Sequence, residues 1–117
     1  MAQGRLVLLG AGQMGGALAE GWLKRRGGPK PVIVDPKPSE RVEAWAGAGR
    51  ITLNPPPKPA GTLVLAVKPQ LFRELIDDVR PWVGEETLVV SIMAGWRIEQ
   101  ISRLLGAERI IRVMPNT

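Results

Sequence analysis

The sequence contains no cysteine, no histidine and no tyrosine, and phenylalanine occurs only once. Without cysteine, the chain cannot form disulfides, thiolate nucleophiles or zinc–thiolate sites. Without histidine, it lacks the commonest metal ligand and the usual general base at neutral pH, so we expect no metal site. The scarcity of aromatic rings also leaves few platforms on which nucleic-acid bases could stack.

Long apolar runs are absent as well. No stretch approaches the run of about 20 apolar residues that a membrane-spanning helix needs, and the start of the chain has no signal-peptide pattern. We therefore expect no membrane partner and a cytoplasmic location. The net charge is +5, but the basic residues are scattered rather than gathered on one helix. We interpret most of them as solvated and expect no nucleic-acid partner.

Apolar runs and helix-period patterns alternate along the whole chain. The runs rich in Val, Ile and Leu predict strands at 5–10, 31–35, 62–67, 87–92 and 109–114, with a short one at 51–53. Helical stripes lie between them and begin at Met14, Val42, Phe72 and Ile98. Strands that are apolar throughout should be covered on both faces, and strand–helix alternation favours parallel pairing. The sequence thus predicts an α/β fold, a doubly wound parallel sheet of Rossmann type, in a single domain over 1–117. The proline-rich stretch 54–59 should be a stiff surface connection.

A glycine-rich loop follows the first predicted strand. It reads Gly10-Ala11-Gly12-Gln13-Met14-Gly15 and opens a helix, and Asp35 closes the next apolar run 20 residues after the last glycine. In such a loop, Gly10 makes the tight turn, Gly12 lets the backbone approach a pyrophosphate, and Gly15 lets helix and strand pack closely. The phosphates would bind the free N–H groups of the helix N-terminus. This order of strand, loop, helix and acid predicts a dinucleotide site rather than an ordinary glycine-rich turn.

The residues after the second strand leave the choice of dinucleotide open. Asp35 is placed to accept hydrogen bonds from the adenosine ribose, which favours NAD because a carboxylate repels a 2′-phosphate. Lys37, Ser39 and Arg41 follow closely and could bind that phosphate in NADP. Each also has a structural interpretation: a turn-initiating Asp-Pro for Asp35, a helix N-cap for Ser39, and solvated charges for Lys37 and Arg41.

Further candidates follow the later strands, because ligands of an open parallel sheet bind beyond the carboxyl ends of its strands. Lys68 is either a crevice residue or a solvated turn lysine. Gly95 either lets a ligand approach the backbone or is a plain turn glycine. Asn116 and Thr117 could donate hydrogen bonds to a substrate or to nicotinamide, or could be ordinary turn residues.

Four motifs together resemble pyrroline-5-carboxylate reductase in order and spacing. They are Gly10-Ala11-Gly12-Gln13-Met14-Gly15, Ala66-Val67-Lys68-Pro69-Gln70, Ser91-Ile92-Met93-Ala94-Gly95 and Arg112-Val113-Met114-Pro115-Asn116-Thr117. The resemblance covers the whole chain. It implies reduction of a cyclic imine, 1-pyrroline-5-carboxylate, to L-proline, with NADPH or NADH as the hydride donor. This reaction is the last step of proline biosynthesis.

The resemblance also implies a role for each candidate residue. The pyrophosphate and its ribose would lie on the loop, and the adenosine end would lie near the second and third strands. The nicotinamide half would face two later loops, and Asn116 and Lys68 are the nearest candidates for a catalytic role. The implied cofactor residues are Leu9, Gly10, Ala11, Gly12, Gln13, Met14, Gly15, Asp35, Lys37, Asn54, Ala66, Val67, Lys68, Pro69, Met93, Ala94 and Gly95. Asn116 and Thr117 are the implied substrate residues.

The resemblance also implies a two-domain protein, in which a helical C-terminal domain forms the homo-oligomer and builds much of the imine pocket. We therefore expect this chain to be the cofactor-binding part, able to bind a dinucleotide but with little or no turnover alone. Asp35 stands where many members have small or hydroxyl residues, and Arg97 stands where a Ser or Thr helix cap is common. Two alternatives stay open: a non-catalytic nucleotide-sensing module, and the cofactor domain of another reductase such as a hydroxy-acid dehydrogenase.

Overall fold

The computed structural model describes residues 5–25 and 30–113. Its strands are β1 (Leu6–Leu9), β2 (Val32–Val34), β3 (Thr52–Leu53), β4 (Thr62–Leu65), β5 (Leu88–Ser91) and β6 (Arg109–Arg112). Its helices are α1 (Gln13–Leu23), α2 (Glu40–Gly47), α3 (Pro69–Val79) and α4 (Ile98–Leu105), and a short 3₁₀ helix, Arg80–Trp82, follows α3. Every predicted strand is present, so the alternation of apolar runs and helical stripes is confirmed.

The strands form one six-stranded sheet in the order β3-β2-β1-β4-β5-β6, and every pair is parallel. The chain builds outward from β1 to β3 and then returns to place β4 on the other side of β1. The order of the strands therefore reverses between β1 and β4, which is where doubly wound sheets bind ligands. This topology confirms the predicted fold class. The predicted strands run a residue or two beyond the observed ends, the usual uncertainty of element boundaries, and residue 114 lies outside the described part of the chain.

Helices cover the sheet on both faces, as the uninterrupted apolar strands predict. On one face, α3 and α4 pack on alternate strand residues in a cluster that includes Val7, Leu63, Leu65, Phe72, Ile76, Val89 and Ile101. On the other face, α1 and α2 pack on the intervening residues in a cluster that includes Leu8, Ala19, Ile33, Val42, Trp45 and Val64. The two-residue period of each strand thus divides its side chains between two cores.

The first residue of two predicted helical stripes is exposed rather than buried against the sheet. Met14 is 38% exposed and Ile98 is 41% exposed. In α1, the side that meets the sheet carries Gly15 and Ala19, both buried, because a larger side chain at Gly15 would collide with the carbonyl oxygen of Gly10. The helix approaches β1 through small residues, and its large apolar residues lie to either side.

The expectation of cover on both faces is wrong for β6. Ile110 packs against the α3–α4 core, whereas Ile111 is 46% exposed and Val113 is 42% exposed. These two side chains share the opposite face of the edge strand, and the helices within 5–25 and 30–113 leave that face open. The apolar run at 109–114 therefore predicted the strand correctly, but burial of both faces was wrong.

The proline-rich connection has neither helix nor strand in the structure, as predicted. It leads to Ala60, whose N–H donates to the carbonyl oxygen of Trp82 at 2.8 Å and so anchors the segment near the start of β4. In the part of the chain that the structure describes, no helix is both long enough and apolar enough to cross a membrane.

Candidate dinucleotide-binding site

Two glycines of the Gly10–Gly15 motif, one in the β1–α1 loop and one in the first turn of α1, are required by the fold itself. Gly10 has φ +88°, which side chains rarely tolerate, and a Cβ there would lie 2.9 Å from Cγ1 of Val67. Its N–H donates to the carbonyl oxygen of Val34 at 2.8 Å. A Cβ on Gly15 would contact the carbonyl oxygen of Gly10 and would lie 3.2 Å from Cβ of Ala66. The predicted tight turn and close helix–strand packing are both present.

Gly12 is different, because among the described residues other than its chain neighbours no atom lies within 4 Å of the position that a Cβ would take. Its backbone is extended at φ −70°, a conformation open to any residue. Neither space nor conformation in the protein requires glycine here. The open space lies at the N-terminus of α1, where Gly12 is the N-cap and no side chain caps the helix. The first intrahelical bond joins the N–H of Gly16 to the carbonyl oxygen of Gly12 at 2.7 Å, so the preceding N–H groups can receive a phosphate.

Asp35 lies at the end of β2 and holds the glycine loop. Its Oδ2 accepts the N–H of Ala11 at 3.0 Å, and its Oδ1 accepts the N–H of Lys37 at 2.9 Å. The second bond closes the turn that an Asp-Pro sequence favours. The predicted turn-initiating role of Asp35 is therefore confirmed, and the first bond shows that Asp35 also lies beside the glycine loop. Each carboxylate oxygen has further acceptor capacity, so these bonds do not prevent it from accepting a ribose hydroxyl.

Asn54 adopts a left-handed conformation, φ +49°, directly after β3. Its Oδ1 accepts the N–H of Asp35 at 2.8 Å, and its Nδ2 donates to the carbonyl oxygen of Asp35 at 2.9 Å. The side chain thus pairs with both backbone groups of the residue that holds the loop. The structure therefore brings together Ala11, Asp35 and Asn54, three residues that the sequence predicted for the same half of the site.

Two of the residues proposed for a 2′-phosphate make contacts within the protein. Ser39 caps α2, with Oγ accepting the N–H of Val42 at 3.2 Å, so its predicted N-cap role is confirmed. Arg41 faces α1: its guanidinium lies 5.2 Å from the ring centroid of Trp45 and 3.9 Å from Glu20. An ion pair this long between half-exposed groups contributes little stability. Lys37 is exposed beside Asp35.

The other half of the site consists of the loops after β4 and β5. The N–H of Ala66 donates to the carbonyl oxygen of Leu9 at 2.9 Å, which places the first of these loops beside β1. Lys68 is exposed and precedes Pro69, the first residue of α3, without capping the helix through its side chain.

The second of these loops follows β5. Met93 is buried, and its N–H donates to Oγ of Ser91 at 3.2 Å. Gly95 has φ +83°, and within 5–25 and 30–113 no atom lies within 4 Å of its Cβ position, so its conformation rather than crowding favours glycine.

Sequence reasoning missed Trp96, which joins these two loops. Its Nε1 donates to the carbonyl oxygen of Pro69 at 2.8 Å. Its contact with Pro69 joins residues 27 positions apart, which no local pattern in the sequence indicates. The helix that follows has no cap from the side chain of Arg97, as expected, but Oε1 of Gln100 accepts the N–H of Arg97 at 2.9 Å. That bond satisfies one of the free donors at the start of α4.

Asn116 and Thr117, predicted to be near the substrate, lie outside the described residues, and the side chain of Gln13 does too. Within 5–25 and 30–113, no group of three or more His, Cys, Asp and Glu residues is arranged to hold a metal ion.

The glycine loop, the acid at the end of β2 and the reversal of strand order define a Rossmann-type dinucleotide-binding domain. Residues 5–95 match the profile of the family described as "NADP oxidoreductase coenzyme F420-dependent", and the chain belongs to this family.

The relatives confirm the resemblance to pyrroline-5-carboxylate reductases. The reductase of Pisum sativum is 33% identical over 119 aligned positions, which cover 96% of this chain and 42% of the relative. The reductase of Pseudomonas aeruginosa is 32% identical over 126 positions, which cover 100% of this chain and 45% of the relative. The chain therefore spans less than half the length of these curated relatives.

Solved structures show the same fold, and one of them is also a pyrroline carboxylate reductase. The crystal structure of Plasmodium falciparum pyrroline carboxylate reductase with NADP bound has a TM-score of 0.75 and 25% identity, covering 99% of this chain and 44% of that chain. A prephenate dehydrogenase from A. aeolicus, with NAD+ in its structure, has a TM-score of 0.72 at 18% identity, covering 96% of this chain and 41% of that chain. At that identity, the second likeness shows the fold alone.

Proposed function

We propose that residues 1–117 form the dinucleotide-binding domain of a pyrroline-5-carboxylate reductase. The whole protein would reduce 1-pyrroline-5-carboxylate to L-proline with NADPH or NADH. Membership of the family, the names of the relatives and the NADP bound to the Plasmodium falciparum protein support this assignment. A cytoplasmic location and a homo-oligomer stay predictions of the resemblance.

The observation that carries the proposal is the open space at Gly12 beside an uncapped helix N-terminus. Since the protein itself does not require glycine there, a ligand that approaches the backbone accounts for it. The free N–H groups and the partial positive charge of the first turn of α1 suit a pyrophosphate. Asp35, which bonds to Ala11 and Asn54, would accept hydrogen bonds from the neighbouring ribose.

When bound, the nicotinamide supplies the hydride for reduction of the imine carbon. The residues of this chain bind and orient it. Loop residues 66–69 and 93–95 would shape the nicotinamide side, and Asn116, Thr117 and Lys68 are the candidates nearest the substrate. A protonated C=N bond is already electrophilic, and the hydride converts it directly to the amine. Positioning, rather than a covalent nucleophile, would therefore supply most of the rate acceleration.

The preference between NADPH and NADH depends on the surroundings of Asp35. Its carboxylate opposes a 2′-phosphate, whereas the neighbouring ammonium of Lys37 attracts one. The guanidinium of Arg41 lies near Trp45 and 3.9 Å from Glu20, a weak ion pair that does not prevent it from binding a phosphate. Both dinucleotides are therefore proposed as cofactors.

A chimera tests the substrate assignment. The matching part of the Pseudomonas aeruginosa reductase is replaced by this chain, and NADPH and NADH oxidation is followed with 1-pyrroline-5-carboxylate and, separately, with 2-oxo acids. We expect oxidation with the imine alone. Because much of the imine pocket then comes from the Pseudomonas aeruginosa half, the test of this chain is whether it completes that active site: a chimera that folds and binds a dinucleotide but does not reduce the imine would contradict the assignment. The isolated chain, assayed in parallel, should bind a dinucleotide and form little or no proline.

A further inference from the structure

Trp96 contacts three residues on one side of α3. Its Nε1 donates to the carbonyl oxygen of Pro69 at 2.8 Å, and its ring meets that of Phe72 edge to face, with centroids 4.9 Å apart at 81°. The guanidinium of Arg73 lies 5.2 Å from the centroid of the indole. Positions 69, 72 and 73 have the spacing of one helix face, so the indole is fixed against the first turn of α3 by a hydrogen bond, a ring contact and a cation.

Some residues of the two loops beside Trp96 are open to solvent. Ala94 and Gly95 are exposed, and no atom of the described residues lies within 4 Å of the Cβ position of Gly95. On the side of α3, Lys68 is exposed and does not cap the helix. The bases of the β4–α3 loop and the β5–α4 loop are fixed by the sheet, since the N–H of Ile92 donates to the carbonyl oxygen of Leu65 at 3.1 Å. Beyond the sheet, the indole joins the β5–α4 loop to the first turn of α3. Trp96 itself is only 9% exposed, so this link is part of the core.

We propose that Trp96 is a positioning residue for the nicotinamide half of the dinucleotide. The inference rests on the proposed function, under which the loops at 66–69 and 93–95 face that half. Trp96 holds the two loops at a fixed separation through Pro69. The glycine loop, Asp35 and Asn54 are held by a separate set of bonds. Loss of the indole N–H should thus affect one half of the site and spare the other.

The test compares Trp96→Phe with Trp82→Phe. Trp82 is 2% exposed in the same core, but its backbone bonds to Ala60 near the start of β4, away from the site. Calorimetric titrations use NADPH with its adenosine half, 2′,5′-ADP, and NADH with ADP. For Trp96→Phe, we expect an affinity for the full dinucleotide about fivefold lower, the scale of one hydrogen bond, and an unchanged affinity for the adenosine half. Trp82→Phe should change neither.

The adenosine half also reports whether each variant is folded. If the unsubstituted chain bound no dinucleotide, the proposed function would fail. If it bound NADPH or NADH and Trp96→Phe bound the full dinucleotide equally well, the role of Trp96 alone would be refuted. An equal loss of affinity for both ligands would assign Trp96 a purely structural role and also overturn the inference.

A second measurement uses the unsubstituted chain. The indole N–H resonance of Trp96 is identified in a nitrogen-15 spectrum by its absence from Trp96→Phe. We expect this resonance to shift on addition of the full dinucleotide and to stay in place with the adenosine half. A resonance that responds to neither ligand, or equally to both, would contradict the proposed position of Trp96 beside the nicotinamide loops.

Discussion

The carboxylate of Asp35 accepts a hydrogen bond from the N–H of Ala11 at 3.0 Å, across the gap between the ends of β2 and β1. The residue expected to bind a ribose therefore also holds the glycine loop that would carry the pyrophosphate. The side chain of Asn54 in turn forms hydrogen bonds with both the N–H and the carbonyl oxygen of Asp35. Cofactor preference and loop geometry are thus coupled at one side chain, and substitutions at Asp35 should change both.

Asp35→Asn should raise the affinity for NADPH relative to NADH. The substitution removes a negative charge from the neighbourhood of the 2′-phosphate, which is worth about 1 kcal/mol in a solvated site, or about fivefold in the ratio of dissociation constants. It should also lower the free energy of unfolding by about 1–2 kcal/mol, because two backbone N–H groups lose an ionised acceptor. Calorimetric titration and denaturant unfolding measure the two effects.

Asp78→Asn is the matched control, since Asp78 is exposed on α3, away from the glycine loop. It should change neither quantity appreciably. An unchanged NADPH-to-NADH ratio in Asp35→Asn would show that the carboxylate does not face the ribose.

Gly15→Ala and Gly12→Ala should separate folding from binding. A Cβ at Gly15 meets the carbonyl oxygen of Gly10, so this variant should lose about 1–3 kcal/mol of unfolding free energy through overpacking. A Cβ at Gly12 meets no atom in the part of the chain that the structure describes, so Gly12→Ala should change stability by less than about 1 kcal/mol while weakening dinucleotide binding at least tenfold. Thermal unfolding and calorimetry distinguish the two, and full binding by Gly12→Ala would contradict a pyrophosphate at this position.

Asn54→Ala should be more destabilising than Asn54→Gly. Both variants lose two side-chain bonds to Asp35, each worth about 1 kcal/mol, but alanine also has to adopt the left-handed conformation, at a cost of about 1 kcal/mol. The difference is measured by denaturant unfolding. Equal losses for the two variants would mean that the positive φ of Asn54 carries no strain.

Ile110→Thr and Ile111→Thr, on the same edge strand, should differ in stability. Ile110 packs against the core, so its loss of apolar contact should cost about 1–2 kcal/mol. Ile111 is 46% exposed, and its replacement should stay within about 0.5 kcal/mol. Two similar losses would show that the face carrying Ile111 is covered in solution.

The fold could be predicted because strand runs and helical stripes are local patterns, and alternating them leaves few topologies besides a parallel sheet. The site was predictable where a motif carries its own geometry, as at Gly10 and Gly15. It was less predictable where contacts depend on distant residues. Nothing near Asn54 in sequence indicates that its amide pairs with Asp35, and Trp96 gains its role only when α3 brings Pro69 beside it. The exposed side of β6 depends on helix placement, which composition does not encode.

Calorimetric titration of the unsubstituted chain with NADPH and with NADH tests the central claim most directly. If the first turn of α1 and Asp35 form a dinucleotide site, at least one nucleotide should bind with a dissociation constant between micromolar and low millimolar, and Gly12→Ala should weaken that binding without unfolding the protein. Absence of binding by either nucleotide, with the chain shown to be folded, would contradict the account.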